Sequence, residues 1–110
     1  MSEPEFVTVT ITAPDHEQLA SICRTLVEER LAACANIVPQ VHSIYHWDGA
    51  IEEGPEALAH LHTRADLFST LETRAAELHP FDVPQVVALP MADVANAYGA
   101  WINDHVTTVT

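Results

Sequence analysis

The sequence contains no lysine, three glycines and two cysteines in 110 residues. Each shortage excludes something. Four arginines face sixteen carboxylates, a formal charge of −12, so the surface repels nucleic-acid phosphates and anionic membranes and draws in cations. Three glycines leave no phosphate-cradling loop, and neither a nucleophile elbow nor a zinc-hydrolase motif is present. Cys23 and Cys34 form no Cys-x-x-Cys pair and read as small buried hydrophobes. Cys34 is the one candidate thiolate nucleophile, and nothing electropositive flanks it. These gaps argue against an enzyme. No apolar run reaches the roughly 20 residues of a membrane span. The opening "MSEPEF" lacks a basic or apolar leader pattern, so a cytoplasmic protein is expected.

What is present is a core's worth of apolar residues, 48% of the chain, in periodic runs without linkers or repeats, so 1–110 reads as one domain. Residues 6–12 alternate apolar side chains with threonine, a strand pattern. Asp15 stands where an N-cap belongs, with Gln18 as its capping-box partner. Leu19, Ile22, Cys23, Leu26 and Val27 then form a helical stripe, and Arg30 is expected in the last turn, facing the negative end of the dipole. A second helix begins near Asp66, carries Leu67, Phe68, Leu71, Ala75 and Leu78, and stops at His79-Pro80. Residues 83–89 read as a buried strand, and Asp93 is placed to cap a last helix bearing Val94, Tyr98, Trp101 and Ile102. This order predicts an α+β sandwich of ferredoxin-like βαββαβ type, with a long hairpin between its second and third strands and a C-terminal helix.

The hairpin poses the main question. Asp48-Gly49 is a two-residue turn between two long strand-like runs, which pairs Trp47 with Ala50 and carries the ladder back to Ala35 opposite His62. Pro39 and Gly54-Pro55 call for bulges or bends. Each arm of about 14 residues is roughly 45 Å long if straight, whereas a compact domain of this size has a radius of gyration near ~13 Å. The hairpin must bend sharply or project beyond its own core. A projecting tip carrying Tyr45 and Trp47 exposes apolar rings and open strand edges, and another subunit covering them resolves both costs. The competing reading folds Trp47 back onto its own domain.

The segments "TAPD" at 12–15, "LVEERLAACANIVPQVHSIYHWDGAIEE" at 26–53, "TR" at 63–64, "LHPFDVPQVVALPM" at 78–91 and "AYGAWI" at 97–102 resemble the CutA family of divalent-cation tolerance proteins. The resemblance implies a ferredoxin-like homotrimer built through the hairpin, a fold shared with PII signalling proteins, and a role in tolerance of copper and other divalent metals. It brings no catalysed reaction. It also implies a copper site joining a cysteine late in the first strand to two histidines before the proline, positions that here read Ile11, Leu78 and His79. One ligand of three remains. The family's usual lysine before "TR" is His62 here and its usual glutamate after the proline is Gln85. Both fall in what resembles the intersubunit cleft.

Each candidate site has two readings. His60 and His62 share one strand face about 6.6 Å apart at Cα, close enough for one ion, or are packed strand residues bonded to neighbours. His79 is either a metal ligand or a side chain favoured by the helix terminus. His42 and His46, about 13 Å apart, cannot chelate one ion. Asp48, Glu52, Glu53 and Glu56 make an acidic arm, solvated or weakly attractive to divalent ions. Tyr45, Trp47, Gln85, Tyr98 and Trp101 are the residues expected at the cleft and trimer contact. The expected partners are sister chains and divalent ions, Cu(II) among them, none tightly held. A trimeric PII-like module binding a small ligand or protein in the cleft is the alternative.

Overall fold

A computed structural model describes residues 5–108; the acidic opening at 1–4, and with it the ends of the expected single domain, lies outside them. The elements run β1 (Phe6–Ala13), α1 (His16–Glu28), β2 (Cys34–Trp47), β3 (Ala50–Arg64), a 3-10 turn (Ala65–Leu67), α2 (Phe68–Leu78), β4 (Val86–Pro90) and α3 (Asn96–His105). The strands form one antiparallel sheet in the order β2-β3-β1-β4. This is the ferredoxin-like α+β architecture the element order predicts. No helix among the described residues is long and apolar enough to cross a membrane.

The core follows from alternation. Val7, Val9, Ile11 and Ala13 of β1 and Ala57, Ala59 and Leu61 of β3 point to one face, where Leu19, Ile22, Cys23 and Leu26 of α1 and Leu71 and Ala75 of α2 cover them. The opposite face carries Thr8, Thr10, His60 and His62, half-buried. Here α3 covers one end, packing Ile102 with Phe6, Ala33, Leu67 and Val106. Gly99 permits that approach, since a Cβ there would stand 3.1 Å from the Phe6 ring.

Asp15 caps α1 as expected, accepting from the Gln18 backbone N–H at 2.9 Å. The Gln18 side chain, however, bonds the Asp15 carboxylate itself rather than the Asp15 backbone N–H of a capping box. Arg30 does not sit in the last turn. It lies beyond the helix with φ 62, and the Leu31 and Arg30 N–H groups return to the carbonyls of Leu26 and Val27, a Schellman ending. Its guanidinium instead donates to the Asp104 carbonyl, tying the end of α3 to the end of α1.

Three further expectations change. The last strand starts at Val86, not residue 83, because Pro84 has no N–H to give a ladder; Val83 is 89% exposed. That strand is an edge strand, with Val87 and Leu89 exposed, rather than a buried one. The last helix starts at Asn96, since Asp93 spends its carboxylate on the N–H of Val94, outside the helix.

The hairpin projects. Asp48 and Gly49 have φ of 48 and 79, a type I′ turn, and Trp47 pairs with Ala50. The molecule is 43 Å long with a radius of gyration of 14.5 Å, above the ~13 Å of a compact domain. A bulge lies at Pro39, where Pro39 and Gln40 together face Ala57. No bulge occurs at Gly54-Pro55. Counted outward from the turn, Pro55 opposite His42 is a non-hydrogen-bonded pair, so its missing N–H faces away from β2. The Pro39 bulge shifts the register by one, so Cys34 rather than Ala35 faces His62.

Candidate functional site

That shift decides which side chains meet. In the straight ladder Cys34 would lie opposite Thr63, on the core face; in the bulged one it joins His62 on the other face. Cys34 is therefore half-exposed, not a core hydrophobe, whereas Cys23 is buried as expected, its thiol pushed up to about 11 by burial. The Tyr98 hydroxyl of α3 reaches both: 2.7 Å to His62 Nδ1 and 3.2 Å to Cys34 Sγ, with Sγ and Nδ1 3.6 Å apart. Burial, and then the charge of neighbouring His60, holds the His62 imidazole below its ordinary range. The neutral ring, with its proton on Nε2, accepts from Tyr98 O–H, and Cys34 Sγ stands within reach of both atoms. Burial and the Cys34 contact push Tyr98 up to about 12. Trp101 stacks on Tyr98 with ring centres 5.5 Å apart, and His105 leans on Trp101.

His60 and His62 share a face but turn to different neighbours. His60 Nδ1 lies 3.5 Å from Thr10 Oγ1 on β1, while His62 turns toward β2 and α3. His79 has no free nitrogen. Its Nε2–H donates to the Thr12 carbonyl at 2.7 Å and its Nδ1 accepts from the Phe81 N–H at 3.1 Å, with the ring buried. An ion at His79 would have to displace a backbone bond; in this arrangement the ring pins the loop after α2 to the end of β1. His42 and His46 are exposed, and His42 pairs with Glu53 at 2.7 Å. Among the described residues no three His, Cys, Asp or Glu side chains converge on one point.

The five expected cleft residues fall in three places. Tyr45 and Gln85 line a cavity of about 320 Å³ with Thr12, Glu56 and Phe81, between the hairpin and the start of β4. Tyr98 and Trp101 belong to the cluster around His62. Trp47 stands at the tip, 68% exposed, with Ile44 and Ile51 equally uncovered. Along the same ribbon, β3 from Ala50 to Glu56 pairs with β2 on one edge and with no described strand on the other. Residue types and spacing could not reveal the link of Cys34 to Tyr98; counting two β2 residues against Ala57 at the proline would have placed Cys34 beside His62.

A model of the CutA1 divalent ion tolerance protein family matches residues 7–105. The divalent-cation tolerance protein CutA of Thermus thermophilus is 44% identical over 97 residues, covering 88% of this chain and 94% of that one. Protein CutA of Mus musculus is 37% identical over 100 residues, 91% of this chain but 56% of the mouse protein. The solved structure of the periplasmic divalent cation tolerance protein CutA from Archaeoglobus fulgidus superposes with a TM-score of 0.89 at 29% identity, covering 93% of this chain and 99% of that one.

Proposed function

The chain belongs to the CutA1 divalent ion tolerance protein family, and from that premise we propose that it is a cytoplasmic homotrimer serving tolerance of divalent metals, copper included. It binds ions weakly and catalyses no reaction. The observation that carries cation binding is the −12 charge combined with His60 and His62 on one half-exposed strand face. Assembly is supported by the uncovered tip at Trp47 and by the outer edge of β3, which no described strand pairs; a sister chain would cover both. Two unpaired cysteines suit a reducing compartment. Calorimetric titration with Cu(II), Ni(II) and Zn(II) tests the binding. Saturable heat at submillimolar metal is expected, and no heat at millimolar metal with the protein folded contradicts it. Recovery of the chain among periplasmic proteins on fractionation would contradict the compartment.

A second reading rests on the cavity shared by Tyr45, Glu56 and Gln85, whose volume of about 320 Å³ is at the small end of ligand pockets. In this reading the trimer is a PII-like regulatory module holding a small ligand in its cleft. A metabolite that raises the melting temperature while metals leave it unchanged favours this reading over the first.

A further inference from the structure

We infer that Cys34, His62 and Tyr98 form a three-donor site for a single tetrahedral zinc-type ion. The inference deepens the cation-binding reading, on which it rests, by naming the ligands and the class of ion. The three donor atoms are 2.7, 3.2 and 3.6 Å apart. An ion about 1 Å above their plane can stand about 2.0–2.1 Å from Nδ1 and Oη and about 2.3 Å from Sγ, with the 2.7 Å edge between Nδ1 and Oη opening by about 0.6 Å to reach the tetrahedral angle. The Sγ to Nδ1 distance of 3.6 Å is the span of a thiolate and an imidazole on one tetrahedral ion, about 3.5–3.6 Å. A linear two-coordinate ion would need about 4.3 Å. The geometry therefore selects Zn(II) over linear Cu(I).

The ladder and α3 hold the site before any ion arrives. Cys34 and His62 are cross-strand partners fixed by the bulge, and the Trp101 ring holds the Tyr98 ring from behind. All three side chains are half-buried, so an ion has a route in and the fourth position stays open to water. An ion takes the place of the protons that now link the three atoms. On binding, the thiol and the phenol each release a proton to solvent, Nδ1 gives the ion the lone pair it now offers Tyr98, and the phenolate coordinates through oxygen. The site depends on an imidazole at position 62: the long ammonium of a lysine there would repel a cation.

Co(II), which replaces Zn(II) in such sites and absorbs where zinc is silent, is the probe on the reduced, unaltered protein. The expected result is one Co(II) per chain, with a near-ultraviolet sulfur-to-cobalt charge-transfer band that Zn(II) abolishes. Cys34→Ser should remove the band, and Cys34→Ser and His62→Lys should each weaken Zn(II) binding by about tenfold or more. His46→Gln, at an exposed imidazole near the hairpin tip, should leave both readouts unchanged. If Cys34→Ser does not fold, the band in the unaltered protein and the His62→Lys variant decide alone. Cobalt bound without a sulfur band, or Zn(II) binding unchanged by His62→Lys, overturns the site and leaves weak cation binding elsewhere standing. Neither band nor heat at millimolar metal, with the protein folded, overturns both.

Discussion

The ribbon of β2 and β3 changes character at Pro39 and Gln40. On the side nearer the helices, Ala57, Ala59, Leu61 and Thr63 are fully buried, and the Thr63 hydroxyl donates to the Leu31 carbonyl at 2.7 Å. On the far side, Ile44, Tyr45, Trp47 and Ile51 stand in solvent, and the outer edge of β3 ends its described pairing at Ala57. Backbone geometry is equally regular in both parts, down to the type I′ turn. What differs is whether the chain can cover its own apolar surface. The near half is a finished structure. The far half is a regular ribbon that the described residues leave uncovered, and this contrast motivates the proposed trimer.

Substitutions on the two sides of the bulge should therefore fail differently. Leu61→Ala, deep in the near half, should lower stability by about 2–5 kcal/mol in urea unfolding. A loss well below that range would mean the near half is not the anchor described. Trp47→Ala should leave the circular dichroism spectrum unchanged while weakening assembly by about 2 kcal/mol per contact. An unchanged trimer at nanomolar protein would erase the distinction. Within the near half, iodoacetamide should modify Cys34 about tenfold or more faster than Cys23, whose thiol is buried and pushed up to about 11. Equal rates would place Cys34 in the core after all.

The smallest expected effect is on pH dependence. The folded imidazole of His62 is held below its unfolded value, so folding favours its neutral form. The contribution of His62 is complete above the unfolded value of about 6.5 and is lost as pH falls through the folded one. Urea midpoints measured on either side of that value should differ less in His62→Gln than in the unaltered chain. An identical pH response would show that His62 is not desolvated as described.

Much of this was legible in the residues. Alternation at 6–12, the Asp15 cap and the Asp48-Gly49 turn each act over a few neighbours, and each lands where the sequence puts it. Long-range consequences were harder to read. Pro39 announces a bulge, but its effect appears five residues upstream, where one extra residue carries Cys34 from the face of Thr63 to that of His62. Arg30 suits a helix end by charge, yet the Schellman bonds place it in the left-handed region past the last turn, where its side chain reaches α3 instead. Val83 belongs to an apolar run, and Pro84 alone keeps it out of the sheet. One of the two bonds of His79 reaches residue 12, so no local pattern around Pro80 could have shown both nitrogens engaged.

Sedimentation equilibrium of the unaltered chain, followed from high to low concentration, tests the central claim most directly. A species of three times the chain mass, dissociating only on strong dilution, is the predicted result. A single-chain mass at every concentration, with the ribbon still formed and Trp47 still bathed in water, would contradict it.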